Sequence, residues 1–261
     1  MFRHPVFGTG CRKDLCDKAG KYMEDNIKKF RQWVEESDSI VFFGGAGVST
    51  ESNIPDFRSV DGLYNQKYDY PPETILSHSF FITKTGEFYR YYKDKMLIPD
   101  AKPNAAHLKL AELERAGKLK AIVTQNIDGL HQAAGSKAVY ELHGSVHRNY
   151  CTRCKKFFGP EYIAQSEGVP KCDSCGSLVK PDVVLYEESL DSDVISGAVS
   201  AIMQADMLIV GGTSLVVYPA AGLIDYYRGH KLVLINKTAT PRDSAADLVI
   251  NDSIGKVFSQ I

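Results

Sequence analysis

Short apolar runs rich in Val, Ile and Leu recur between Ser39 and Ile261, each followed by a Gly-, Ser- or Asn-containing turn and then an amphipathic stretch. That alternation predicts an α/β protein with a doubly wound, mainly parallel sheet. Two segments, residues 56–104 and 151–178, break the rhythm and predict a second, smaller module inserted beside the sheet. The runs are short and do not alternate with polar residues, which suits strands buried on both faces.

The strand candidates are residues 40–43, 121–124, 139–142, 182–186, 207–210, 232–235 and 248–250. Helical candidates between them are residues 22–36, 87–96, 105–116, 127–133, 191–204 and 219–227, each with apolar positions at helical spacing. Residues 21–55, 105–150 and 179–261 are then expected to form one Rossmann-like sheet domain. Residues 56–104 carry six tyrosines and Pro71-Pro72 but no clear strand, so they read as a helical insertion. Residues 151–178 read as a cysteine-bearing insertion, and residues 1–20 as an arm. No internal repeat or low-complexity tract interrupts this plan.

Composition excludes several classes. The 261 residues include 31 Lys+Arg against 32 Asp+Glu, a formal net charge of −1, with 44% hydrophobic residues. Such a balance carries no global attraction for nucleic acid or anionic membrane. No run approaches the roughly 18 apolar residues of a membrane-spanning helix, and residues 1–20 lack the apolar core of a secretory signal. With few residues outside the predicted elements, a compact cytoplasmic protein is expected.

Four of the six cysteines fall in two pairs: Cys151-x-x-Cys154, seventeen residues, then Cys172-x-x-Cys175. This is four-cysteine zinc spacing, because each two-residue gap lets a knuckle aim two thiolates at one ion. Four thiolates leave no open position, so the metal is expected to be structural and catalysis to lie elsewhere. Cys11 and Cys16 have the wrong spacing for that site and read as free thiols.

The first strand runs directly into Gly44-Gly45-Ala46-Gly47-Val48-Ser49-Thr50. Glycines there permit close backbone approach, and Ser49 or Thr50 could cap a helix facing a diphosphate. The turn is similar to a dinucleotide fingerprint with Thr50 in the third small position. It lacks a well-placed acidic residue about twenty positions on. An ordinary tight turn between strand and helix has the same composition.

Further motifs remove that ambiguity. Gly45-Ala46-Gly47-Val48-Ser49, Ile54-Pro55-Asp56-Phe57-Arg58-Ser59 and Asp61-Gly62-Leu63-Tyr64 resemble the opening signature of the sirtuins, the NAD-dependent protein deacylases. Thr124-Gln125-Asn126-Ile127-Asp128-Gly129-Leu130-His131 is similar to the family's nicotinamide-site motif, and Leu142-His143-Gly144-Ser145 to its catalytic histidine motif. The cysteine pairs match its zinc module, Gly211-Gly212-Thr213-Ser214-Leu215 its second NAD loop, and Ile235-Asn236 its adenosine-side strand end. The resemblance spans residues 39–254.

The resemblance implies an NAD-dependent protein-lysine deacetylase that consumes NAD as a co-substrate and holds one structural Zn2+. His143 would be the general base, which suits a side chain whose ordinary pKa lies near working pH. A strand-end core histidine is its bland alternative. Asn126 would order the ribose and a water, Asp128 would accept from the nicotinamide amide, and Ile127 would pack on the ring. Capping of the following helix would also explain Asn126 and Asp128. Gln125 would bond the ribose hydroxyls. Arg58 would pair with diphosphate, whose oxygens suit a planar guanidinium, and Phe57 would cover the ribose. Gly45, Ala46, Gly47, Ser49, Thr50, Asp56, Gly212, Thr213, Ser214, Asn236, Lys237 and Ile254 complete the implied cofactor contacts.

Sirtuins take the acyl-lysine peptide as an added strand, here expected along residues 180–188 with Val184, Leu185 and Tyr186 as substrate contacts. Relatives carry a glycine where this chain has Glu187, a departure that bears on the substrate side. No arginine lies between Ser59 and Phe88, and Tyr64-Asn65-Gln66-Lys67 offers no Tyr–Arg pair for an acidic acyl group. Acetyl or longer neutral acyl groups are therefore expected over succinyl. A mono-ADP-ribosyltransferase using the same NAD site is the alternative activity. A nucleic-acid-binding zinc ribbon is disfavoured by the balanced charge, and an oxidoreductase by the absence of an accompanying acid/base pair.

Overall fold

The computed structural model describes residues 10–56, 62 and 68–261; for residues 10–19 it describes the backbone. In chain order, β1 (Ile40–Gly44), β2 (Leu119–Thr124) and β3 (Val139–Glu141) precede β4 (Gly144–Cys151), β5 (Phe157–Phe158) and β6 (Val179–Val183). The series closes with β7 (Met207–Gly211), β8 (Leu232–Ile235) and β9 (Leu248–Ile250). The helices are α1 (Gly10–Glu36), α2 (Pro72–Ile75), α3 (His78–Thr83), α4 (Thr85–Lys95) and α5 (Ala105–Arg115), then α6 (Leu130–Ala133), α7 (Pro160–Gln165), α8 (Ser192–Gln204) and α9 (Ile254–Phe258).

Six strands form one sheet in the order β3-β2-β1-β7-β8-β9, every pair parallel. The order reverses between β1 and β7, the place where doubly wound sheets open a ligand crevice. Every residue of β1 is buried, because side chains of both faces meet helices. Ile40 and Phe42 pack with Phe30 of α1, Leu110 of α5 and Phe258 of α9. Val41 and Phe43 pack with Ala198 and Ile202 of α8 and with Leu223 of a 3-10 segment, Ala220–Tyr226. Burial on both faces is why these strands read as unbroken apolar runs.

The two insertions share one core. Phe80, Phe81, Phe88, Tyr89 and Tyr92 of α3 and α4 pack with Phe158 and Ile163 of the cysteine-bearing segment and with Val146 of β4 and Val179 of β6, which flank it. Edge-on ring pairs at 5.0 Å (Phe81–Phe88) and 5.2 Å (Phe88–Tyr89) fill its centre. The Tyr89 hydroxyl donates to the Val179 carbonyl, joining helix to strand.

Four elements differ from the sequence reading. Residues 182–186 do not join the large sheet: β6 pairs antiparallel with β4 in a separate three-stranded sheet, β5-β4-β6. The longest strand, β4, has a register irregularity between Ser145 and Asn149 and carries His147, Arg148 and Asn149, which hides its period in the sequence. Helix α1 starts at Gly10, so the second half of the expected arm is its first turns, while residues 1–9 lie outside the described residues. The helix expected at 127–133 starts only at Leu130, because Gly129 adopts φ +71. Among the described residues no helix is long and apolar enough to cross a membrane.

Candidate active site

Three strand ends converge at the switch point. The loop after β1 lies against the loop after β7: Gly47 N–H donates to the Gly212 carbonyl at 2.8 Å, and Gly45 N–H to Gly211 at 3.3 Å. A Cβ on Gly47 would stand 2.8 Å from Gly212 Cα, and one on Gly45 2.8 Å from Thr213 Cβ. These two glycines therefore serve loop-to-loop approach. Ala46 opens a 3-10 turn, and Thr50 Oγ1 closes it on the Gly47 carbonyl at 3.0 Å. The loop after β2 joins through Gln125, whose N–H donates to Gly44 and whose Nε2 donates to Thr213 Oγ1 at 3.1 Å. Asn236, at the end of β8, donates to the Thr213 carbonyl at 2.8 Å. Lys237 follows it, and Ile254 is buried at the start of α9.

A connected polar cluster sits at the centre. Ser49 Oγ donates to Asp128 Oδ2 at 2.6 Å and accepts from Asn126 Nδ2 at 3.0 Å. Asp128 Oδ1 accepts from Leu130 N–H at 2.9 Å, so its second oxygen takes up the first N–H of α6. A local turn bond and cluster membership coexist in this one carboxylate. Asn126 is held by its own N–H to Thr124 Oγ1. Ile127 reaches the small module, where its carbonyl accepts from Val146 N–H and its side chain touches that core.

His143 lies between β3 and β4. Its Nδ1 is 2.9 Å from the Gln125 carbonyl, which can only accept, so Nδ1 carries the proton and Nε2 keeps its lone pair. Burial lowers its pKa, with the Gln125 carbonyl opposing. The histidine is neutral at pH 7. Gly144 follows at φ +73, and a Cβ there would meet the Asp182 carbonyl at 1.9 Å. Only glycine lets β6 approach the histidine this closely. Val184 N–H donates to the His143 carbonyl at 3.0 Å.

The remaining expected residues divide. Leu185 is buried in the small-module core, whereas Tyr186 is exposed and Val184 lies between. Asp56 and Ser214 are engaged within the protein. Phe57, Arg58 and residues 64–67 lie outside the described residues. Sequence reasoning missed Glu51, which accepts from Gly255 N–H at 2.7 Å at the start of α9, and the buried pair His107 and His131, with ring centroids 4.7 Å apart. Asn104 caps α5 in a capping box completed by His107, and the Asn-x-x-His spacing was the available signal.

The four paired cysteines form a cluster that could hold a metal ion. All four sulfurs lie within 4.8 Å of one another, with Cys151–Cys175 at 3.4 Å and Cys154–Cys172 at 3.6 Å. Zn–S bonds of about 2.3 Å place tetrahedral sulfurs about 3.8 Å apart, so the set fits a zinc ion. The two knuckles are built alike. Lys155 N–H donates to Cys151 and Gly176 N–H to Cys172, with φ +62 and +72 at the two donors.

Known proteins resemble this chain in sequence and fold. The Sir2 family profile matches residues 45–219. An NAD-dependent protein deacetylase of Clostridium acetobutylicum is 65% identical over 240 residues, 91% of this chain and 98% of that protein. One from Staphylococcus epidermidis is 43% identical, over 90% of this chain and 96% of that protein. A solved structure described as Sir2 with a p53 peptide and NAD+ is 42% identical, with a TM-score of 0.80 over 90% of this chain and 96% of that one. Converging glycine loops, a neutral histidine, a four-cysteine cluster and these likenesses have one common explanation: the chain belongs to the Sir2 family.

Proposed function

We propose that the chain is an NAD-dependent protein-lysine deacetylase, transferring acetyl from acetyl-lysine to the ADP-ribose of NAD with release of nicotinamide. The observation that carries the reading is His143, kept neutral by burial and turned by the Gln125 carbonyl so that Nε2 keeps its lone pair, next to the Ser49–Asn126–Asp128 cluster. NAD supplies a ribosyl carbon from which nicotinamide can leave. The donors at the strand ends (Ser49, Gln125, Thr213 and Asn236) suit ribose and phosphate oxygens, and Arg58 would add a guanidinium for the diphosphate. Asp128, oriented by Leu130 N–H and Ser49, accepts from the nicotinamide carboxamide, while Asn126 orders the ribose and Ile127 covers the ring.

The acyl-lysine carbonyl oxygen bonds to the ribosyl carbon as the bond to nicotinamide breaks. His143 Nε2 then takes a proton from a ribose hydroxyl, whose oxygen attacks the imidate carbon. The lysine amine leaves, and water opens the cyclic product to the acetyl ester. An amide oxygen is a weak nucleophile, so positioning and exclusion of water contribute much of the rate. Phe57 would keep water from the ribose after nicotinamide departs. The peptide adds as a strand along the loop at Val184 and Tyr186. We further propose a cytoplasmic enzyme acting on acetyl-lysine proteins, with neutral acyl groups preferred over succinyl and no membrane or nucleic-acid partner.

The test is His143→Ala. Deacetylation should fall by roughly 10² to 10⁴, while labelled NAD still binds. Unchanged turnover would remove His143 from the role of base.

A further inference from the structure

Glu187 holds φ +74, the left-handed region that costs a Cβ-bearing residue energy and that glycine adopts freely. Its side chain explains how the chain sustains that conformation. Oε2 accepts from Ser79 N–H at 2.9 Å and Oε1 accepts from Ser79 Oγ at 2.9 Å, both on α3. The neighbouring backbone is tied to the same region: His78 N–H donates to Tyr186 at 2.9 Å, and Tyr186 N–H to Leu76 at 3.0 Å. Glu188 completes the attachment by accepting from Leu185 N–H at 2.9 Å and Lys180 Nζ at 3.0 Å, with His78 Nδ1 at 2.9 Å. At its other end the loop begins with Val184 bonded to the His143 carbonyl.

We propose that Glu187 is a positioning residue for the acyl-lysine peptide: its clasp on Ser79 holds the loop of residues 184–188 in the shape that receives the peptide strand before substrate arrives. The proposal rests on the reading that this loop is the peptide edge. A glycine at 187 would leave the loop free to populate both signs of φ, and only the competent fraction would bind. The clasp thus acts on peptide affinity, not on the reacting atoms.

Glu187→Gly, Ser79→Ala and the double variant test it, each assayed for KM of an acetyl-lysine peptide, KM of NAD and kcat, with hydrogen exchange over residues 184–188 in the free protein. Each single variant should raise the peptide KM about threefold to tenfold, as the competent fraction falls. Both should speed exchange in the loop and leave kcat and the NAD KM unchanged. The double variant should match Glu187→Gly, because Ser79→Ala removes only the Oγ bond and the glycine already removes both. Glu187→Gln, which keeps one acceptor, should fall between. Unchanged exchange in Glu187→Gly would show that the clasp does not order the loop. Faster exchange with an unchanged peptide KM would show an ordered loop that is not the peptide edge, overturning the reading beneath the proposal. Additive effects in the double variant would overturn the clasp as a single unit.

Discussion

Replacing Gly212 by Ala isolates the contact on which the cofactor site depends. Gly212 holds φ +60, and an added Cβ would stand 2.4 Å from Val48 N, 2.6 Å from Gly47 C and 2.9 Å from Val48 Cγ2. Ordinary carbon contacts lie at about 3.5–4.0 Å, and the first two neighbours are backbone, so the loops after β1 and β7 must separate by about 1 Å. The left-handed conformation costs Ala about 1–2 kcal/mol, and overpacking adds about 1–3 kcal/mol. Stability should therefore fall by about 2–5 kcal/mol. Because Gly47 and Gly212 set the spacing of Ser49, Thr213 and Gln125, a misplacement of this size should cost roughly 10² in kcat/KM for NAD. Gly117→Ala is the control: it has φ +75 with nothing within 4 Å of the added carbon. It should lose about 1 kcal/mol and no activity. Initial rates of nicotinamide release across NAD concentrations, with thermal unfolding of both variants, measure the difference. Gly212→Ala with wild-type kcat/KM for NAD would refute the packed-loop account.

Removing the metal with a strong chelator should abolish the near-ultraviolet dichroism of Tyr89, Tyr91 and Tyr92, because Cys151 and Cys172 lie in the same core; an unchanged spectrum in metal-free protein would contradict a structural zinc. Burial holds His107 at about 4 and His131 at about 3, Asp128 partly opposing the shift at His107 and the His107 charge adding to that at His131. The unfolded chain then binds more protons than the folded one between pH 6.5 and 4, so stability should fall with pH by up to about 1.4 kcal/mol per unit for each histidine. Denaturant melts from pH 7 to 4.5 should show a shallower slope in His131→Gln, and parallel slopes would count against burial as the cause. Arg148 bridges Glu141, two residues before His143, and Asp182, whose carbonyl lies against Gly144, at 2.7 Å each. Its side chain is 38% exposed, so Arg148→Leu should cost about 1–2 kcal/mol, short of the loss from a fully buried pair; chemical denaturation would show it, and no loss would mean that solvent screens the bridge.

The six strands of the large sheet were legible because residues such as Val41 to Phe43 are buried on both faces and leave uninterrupted apolar runs. The second sheet was not. β4 mixes Val146 with His147, Arg148 and Asn149 across a register irregularity, so neither a period of two nor an apolar run survives. Residues 220–226 show helical spacing but wind as 3-10, a local choice that period alone does not distinguish. Within the site, motif spacing named His143, Asn126, Asp128 and the four cysteines, yet it could not show that Asp128 takes up the first N–H of α6 while bonding Ser49. The sequence offers Leu185 as a substrate contact, and its burial in the small-module core is set by packing that sequence alone does not display. Glu187 stood out as a departure, and only its left-handed backbone and its bonds to Ser79 give that departure a physical account.

The central claim is that acetyl leaves lysine by transfer to the NAD ribose at a site where His143 is the base and the metal takes no part. Mass balance tests it most directly: incubate the protein with NAD and an acetyl-lysine peptide, then quantify nicotinamide, peptide mass and the fate of labelled acetyl. The account predicts one nicotinamide per deacetylated lysine, with the acetyl recovered as 2′-O-acetyl-ADP-ribose. Nicotinamide released without deacetylated peptide, with the ADP-ribose label attached to protein, would contradict it and identify an ADP-ribosyltransferase.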